Sequence, residues 1–177
     1  MKVEEATRVF TSRTVKVAMA LAIAGGLAMP TAKADGTQCY TLASLKGTYA
    51  IVTDYGDHIA QALAVRHFDG EGNMQGTFLT NEPVVGSPTG ARELVAGTQV
   101  GTYTVNCDGT GVITRVLTTS TGTVTQTDDH LITQAVTRDD GSLLATALAD
   151  MTRTPSGIVP GGLFVTRTYT RRPERSE

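Results

Sequence analysis

The sequence predicts an all-β domain, a single antiparallel eight-stranded up-and-down barrel, with a two-sheet β-sandwich as the alternative. Three observations lead there. Turn signatures recur at short intervals: F-D-G-E-G-N from Phe68, C-D-G-T-G from Cys107, T-S-T-G-T from Thr119 and R-D-D-G-S from Arg138. Between them run Thr- and Val-rich segments of strand length, the pattern of successive hairpins. No segment after residue 34 sustains a 3.6-residue apolar period, so little helix is expected. Eight consecutive antiparallel strands in one small domain leave two edges, and closing the sheet removes both.

Residues 1–34 read as a secretory signal, cleaved from the mature chain. Lys2, Arg8, Arg13 and Lys16 form a basic leader, residues 17–29 an apolar stretch, and Ala32-Lys33-Ala34 a small-x-small cleavage site. Gly25, Gly26 and Pro30 interrupt or close the apolar stretch, which falls short of the ~18 residues a spanning helix needs. The expected location is secreted or periplasmic, with no stable membrane anchor after cleavage. Residues 35–172 form the barrel domain and residues 173–177 a charged, proline-interrupted tail.

A short helical turn is expected near Thr41 to Ser44, ahead of the first strand. Apolar alternation between turn signals places strands near 46–55, 58–69, 73–82, 93–106, 110–119, 122–138, 142–153 and 162–172. Alternation is clearest in the last, where Phe164 and three threonines share one face while Leu163, Val165, Arg167 and Tyr169 share the other. Two stretches are too rich in Pro and Gly for strands: 82–92, with Pro83 and Pro88, and 154–162, with Pro155 and Pro160. They follow the third and seventh strands, so in a meander both emerge at the same end, the expected mouth. A barrel of eight strands either fills its interior with side chains or holds one small ligand.

Charge narrows the partners. The chain has 15 basic and 17 acidic residues; losing five cations and two glutamates with the signal leaves a net of −5, and Lys46 as the sole lysine. No basic stripe remains for phosphate, so nucleic acid is not an expected partner. The absence of Trp argues against stacked-ring platforms for sugars or single strands. Cys39 and Cys107, both in the exported part, are expected to form one disulfide; their spacing matches no zinc or redox motif.

Three further strings, L-K-G-T-Y-A from Leu45, H-F-D-G-E-G-N from His67 and G-T-Y-T-V-N-C-D-G-T-G from Gly101, resemble a pattern of uncharacterised secreted bacterial β-barrel proteins. These in turn are similar to the allene oxide cyclase and dirigent barrels, a calycin-like shape. The resemblance implies the barrel, and as one functional alternative a cofactor-independent isomerase or cyclase. It rests on turn and strand-start residues. No residue matches a catalytic signature of those enzymes, so none is carried over.

Candidate chemistry therefore lies on the strands. The chain has no G-x-S-x-G elbow, no H-E-x-x-H and no phosphate-binding glycine loop, and no cofactor is expected. His67-x-Asp69 and Asp128-x-His130 each place two polar groups on one strand face. If both faces point inward, His67, Asp69, Asp128 and His130 could bind a divalent metal; the competing expectation is that Asp69 shapes its turn and that Asp128-Asp129-His130 is a solvated or bulged strand centre. Arg115, Arg167 and Tyr169, with His67 and His130, interrupt otherwise apolar faces. A buried arginine must be paired or must meet an anionic ligand; Asp54, Asp128 or Asp150 could pair internally, or a carboxylate-bearing small molecule could be held among Arg115, Arg167, Tyr169 and His67. Ala60, Ala62 and Ala64, and Ala145, Ala147 and Ala149, form small-residue rows that either leave room for a ligand or allow close packing.

The leading expectation is a barrel that binds a small, largely apolar or amphipathic molecule in its lumen. The first alternative is the isomerase or cyclase, with His67, His130 and Arg115 as acid, base or electrostatic stabiliser. The second is a filled barrel acting as an envelope or self-association module, a possible homo-oligomer.

Overall fold

The computed structural model describes residues 38–56, 59–157 and 161–173; the signal and the tail beyond Pro173 lie outside them. Eight strands pair in sequence order into a closed barrel: β1 (Gly47–Asp54), β2 (Gln61–Phe68), β3 (Asn73–Pro83), β4 (Arg92–Tyr103), β5 (Thr110–Thr119), β6 (Gly122–Thr137), β7 (Leu143–Thr152) and β8 (Thr166–Arg171). Every pairing is antiparallel, and the sheet closes between β1 and β8, from Tyr49 opposite Arg171 to Asp54 opposite Thr166. Closure excludes the sandwich and leaves no free edge. The turn signatures form the hairpin corners as expected: at Cys107–Gly111, Gly109 takes φ +85°, a region that side chains oppose, and its N–H donates to Asn106 O at 2.9 Å.

Strands β8 and β7 differ from their sequence patterns. β8 starts at Thr166 rather than near 162, because Leu163 instead bridges back to Ser156 and folds that loop on itself. Phe164 is left exposed on the outer surface. In β7, a register shift opposite Ile132 and Gln134 breaks the expected alanine row. Ala145 is buried, whereas Ala147 and Ala149 flank the inward Leu148 and face outward.

One end of the barrel is filled. Tyr49, Phe68 and Tyr103 stack edge to face, with centroids 5.6 and 4.9 Å apart, among Leu45, Ile113 and Leu148. A 3-10 turn, Leu42–Leu45, lies against this end, and Tyr103 Oη donates to its Leu42 O at 3.1 Å. The Cys39–Cys107 disulfide and a Tyr40 N–H to Cys107 O bond of 3.1 Å tie the segment ahead of that turn to the β4–β5 corner.

Candidate functional site

The other end is open. A cavity of about 710 Å³ enters between the β3–β4, β5–β6 and β7–β8 connections, the end where both Pro/Gly-rich loops emerge. Its walls carry Ile51, Ala62, Ala64, Phe78 and Leu117, with threonines between them. Ser156 and Gly157 of the β7–β8 loop reach it, and Glu82 and Glu93, Cα partners across β3 and β4, stand where those strands meet their loop. Burial and the neighbouring Glu93 raise the Glu82 pKa above its ordinary value.

The cavity floor is polar, built from eight side chains of six strands. Strand pleat sets the phase: Ala62 and Phe68 must face the core, which turns Arg66 of β2 inward with them. The same alternation brings in Gln99 of β4, Arg115 of β5, Gln126 and Asp128 of β6, Asp150 of β7, and Arg167 and Tyr169 of β8, all buried. Gly76 of β3 stands in register between Arg66 and Gln99. Having no side chain, it leaves Arg66 Nη2 free to donate over it to Gln99 Oε1 at 2.9 Å. A Cβ there would collide with Val65 O.

The two carboxylates are fully engaged. Asp128 accepts from Arg115 Nε at 2.8 Å and from Arg167 Nη1 at 3.1 Å, one on each oxygen. Asp150 accepts from Arg167 Nη1 at 2.8 Å and, on its other oxygen, from the Tyr169 hydroxyl, which in turn accepts from Arg66 Nη1. Gln126 Oε1 takes Arg115 Nη2 at 2.7 Å. Burial alone would raise the Asp128 pKa, but Arg115 and Arg167 outweigh it and hold the carboxyl below its ordinary value. Burial likewise opposes the Arg167 charge, yet Asp150 and Asp128 more than compensate and raise its pKa. Arg66 is different. Burial lowers its pKa, Tyr169 and Asp150 do not make up the loss, and its Nε has no partner. It remains a cation at any physiological pH.

Arg115, Arg167 and Tyr169 thus meet in one network, joined by Arg66 and Gln99, which the sequence pattern alone did not single out. His130 also faces inward, but it does not line the cavity. Its Nε2–H donates to Thr104 O at 2.8 Å across the bare Gly111, its Nδ1 is buried without a partner, and burial depresses its pKa.

His67 and Asp69 lie elsewhere. His67 is exposed on the outer face, where Nδ1 meets Thr48 Oγ1 at 3.2 Å. Asp69 closes its own turn, accepting from Glu71 N at 2.7 Å and Asn73 N at 3.0 Å; its bond from the Asn73 side chain, above all, lowers its pKa to about 2. The metal quartet His67, Asp69, Asp128 and His130 is therefore not assembled: β2 turns His67 outside the barrel, Asp69 is held in the turn that follows, and β6 turns Asp128 and His130 inside. Among the described residues no three His, Cys, Asp or Glu side chains gather as a metal site. Asp54 faces out and caps Gly56 N at 2.9 Å, so it takes no part in the network.

No family model, curated protein or solved structure matches this chain.

Proposed function

We propose that this protein is an exported β-barrel that binds a small amphipathic molecule in its lumen. The cavity carries the reading: about 710 Å³ lies within the range of small-molecule sites, roughly 300–1,000 Å³. Its wall of Ile51, Ala62, Ala64, Phe78 and Leu117 suits an apolar body, and its polar floor suits one oriented head. The alanines at 62 and 64 act here as space rather than as packing. The Cys39–Cys107 disulfide supports export, since such bonds persist in oxidising compartments.

Binding is preferred over isomerisation because of where the proposed acid, base and stabiliser fall. Of His67, His130 and Arg115, Arg115 alone lines the cavity, and it is committed to Asp128 and Gln126. Titration with Nile red, a neutral apolar dye, tests the lumen directly. One saturable site per barrel is expected, lost in Ala64→Trp, whose indole would fill the cavity, and retained in Leu63→Trp on the outer face. Equal binding by both variants would place the dye outside the barrel and sink the reading.

A further inference from the structure

We infer that the ligand carries a single anionic head of the carboxylate class, seated at the floor of the cavity against Arg66 with Gln99, Arg115 and Arg167 around it. This rests on the lumen-binding reading and adds the chemistry of the occupant.

Charge balance is the first argument. The buried floor contains three guanidinium groups, Arg66, Arg115 and Arg167, against two carboxylates, Asp128 and Asp150. All four carboxylate oxygens already accept a hydrogen bond, from Arg115, Arg167 (twice) and Tyr169. Arg66 is left with neutral partners, Tyr169 and Gln99, and with Asp150 at 3.8 Å behind the tyrosine. It is 1% exposed, and its Nε is unpartnered. Arg66 shares its nearest carboxylate, Asp150, with Arg167 and Tyr169, so its buried charge is only partly offset; that is costly to keep, and a bound anion would remove the cost.

The second argument is direction. Arg66, Gln99, Arg115, Gln126 and Arg167 line the cavity, whereas Asp128, Asp150 and Tyr169 do not. A molecule at the floor therefore meets donors and cations first, with the acids behind them. One surplus positive charge calls for one negative charge, which favours a carboxylate over a phosphate dianion; the planar guanidinium fork matches a carboxylate in shape as well.

The third argument is polarity along the axis. Glu82 and Glu93 lie six residues along their strands from Gly76 and Gln99, roughly 20 Å at strand rise. At that separation their repulsion of an anion at the floor is much weaker than the attraction of the adjoining guanidinium groups. The two glutamates do oppose one at the mouth. The arrangement orients the ligand head inward, its apolar body along Ile51, Ala62, Ala64 and Leu117.

Three probes of equal chain length separate head from body: decanoate, decanol and decyltrimethylammonium, titrated calorimetrically into the full exported chain. Decanoate should bind once per barrel and about tenfold to a hundredfold more tightly than decanol, and the cation should bind least. Arg66→Met should abolish the preference, bringing decanoate and decanol to equal affinity; near-ultraviolet circular dichroism checks its packing, and Arg66→Gln serves if the methionine variant fails to fold. Equal affinity of the parent for decanoate and decanol would overturn the anionic head and leave lumen binding standing. Retention of the decanoate preference by both Arg66 variants would overturn it in the same way. Failure of all three probes to bind would overturn both readings.

Discussion

Asp150 and Arg167 face each other as Cα partners across β7 and β8, and their side chains bond at 2.8 Å inside the barrel, the carboxylate fully buried. The pair is one link of a network in which each oxygen of Asp150 has its own donor. Asp150→Asn leaves Arg167 with Asp128 as its one carboxylate partner and raises the surplus positive charge from one to two. Breaking a buried pair by removing one partner typically costs about 3–5 kcal/mol, and urea unfolding of Asp150→Asn should show a loss of that size. Arg153 and Asp129, bonded at 2.6 Å but on the outer surface with side chains 51% and 37% exposed, provide the contrast. Arg153→Ala should cost far less than Asp150→Asn, because solvent screens the pair.

His130 predicts a pH dependence of its own. Burial, only partly opposed by its Thr104 bond and by Asp150 and Asp129, depresses its pKa, while the unfolded chain protonates it near ~6.5. The unfolded state thus binds the proton first as pH falls. The stabilisation from neutral His130 is complete above the unfolded value, declines below it, and levels off once the folded imidazole is protonated. His130→Gln retains a donor for Thr104 O and removes the titration. Its unfolding free energy should be flatter than the parent's between about pH 7 and 5; identical slopes would show that the imidazole does not govern this window. The depressed Asp128 acts at lower pH with the same sign, its stabilisation present above the ordinary carboxylate range and lost in acid.

The strand framework was legible because local signals agree with one another: D-G and T-G corners separate segments that can only be strands, and closure follows from their number. Side-chain phase was legible only in part. In β2, the R-H-F string offers either Arg66 or His67 to the core, and the adjacent Phe68 decides, since the large ring must face inward and takes Arg66 with it. That signal was present and pointed away from His67. In β4 the alternation misleads: outward Leu94 and Val100 are 67% and 56% exposed, while inward Gln99 is 2% exposed. Periodicity places the apolar set inside, and here the polar network overrides it. In β7, the shift opposite Gln134 reverses the face of Ala147 and Ala149, and nothing in the alternating pattern announces a bulge.

The disulfide should stabilise through the unfolded chain. Cys39 and Cys107 are 68 residues apart in sequence with Cα atoms 4.4 Å apart, and closing a loop of that length restricts the unfolded ensemble by about 4 kcal/mol in the chain-entropy account. The double variant Cys39→Ser with Cys107→Ser should therefore lose up to that amount in urea, and the parent should lose the same on reduction. Because the barrel ladder itself runs from β1 to β8 without the bridge, the serine variant should retain its far-ultraviolet β spectrum. Thiol titration of the unfolded, unreduced parent should find no free cysteine.

Gly111 sits opposite His130 in the β5–β6 ladder, and a Cβ there would collide with both Thr104 O and His130 Nε2. The bare position is what allows the imidazole to cross β5 and reach the end of β4. Gly111→Ala must displace the backbone carbonyl, the imidazole, or both, and either movement breaks the 2.8 Å bond and leaves Nε2 as well as Nδ1 buried without a partner. An unsatisfied buried polar group costs about 1–3 kcal/mol, with overpacking in addition. Pairing the change with His130→Ala separates the two contributions. If the imidazole is the obstacle, Gly111→Ala should cost markedly less in the His130→Ala background than in the parent, and equal costs in both would assign the penalty to the Thr104 carbonyl instead.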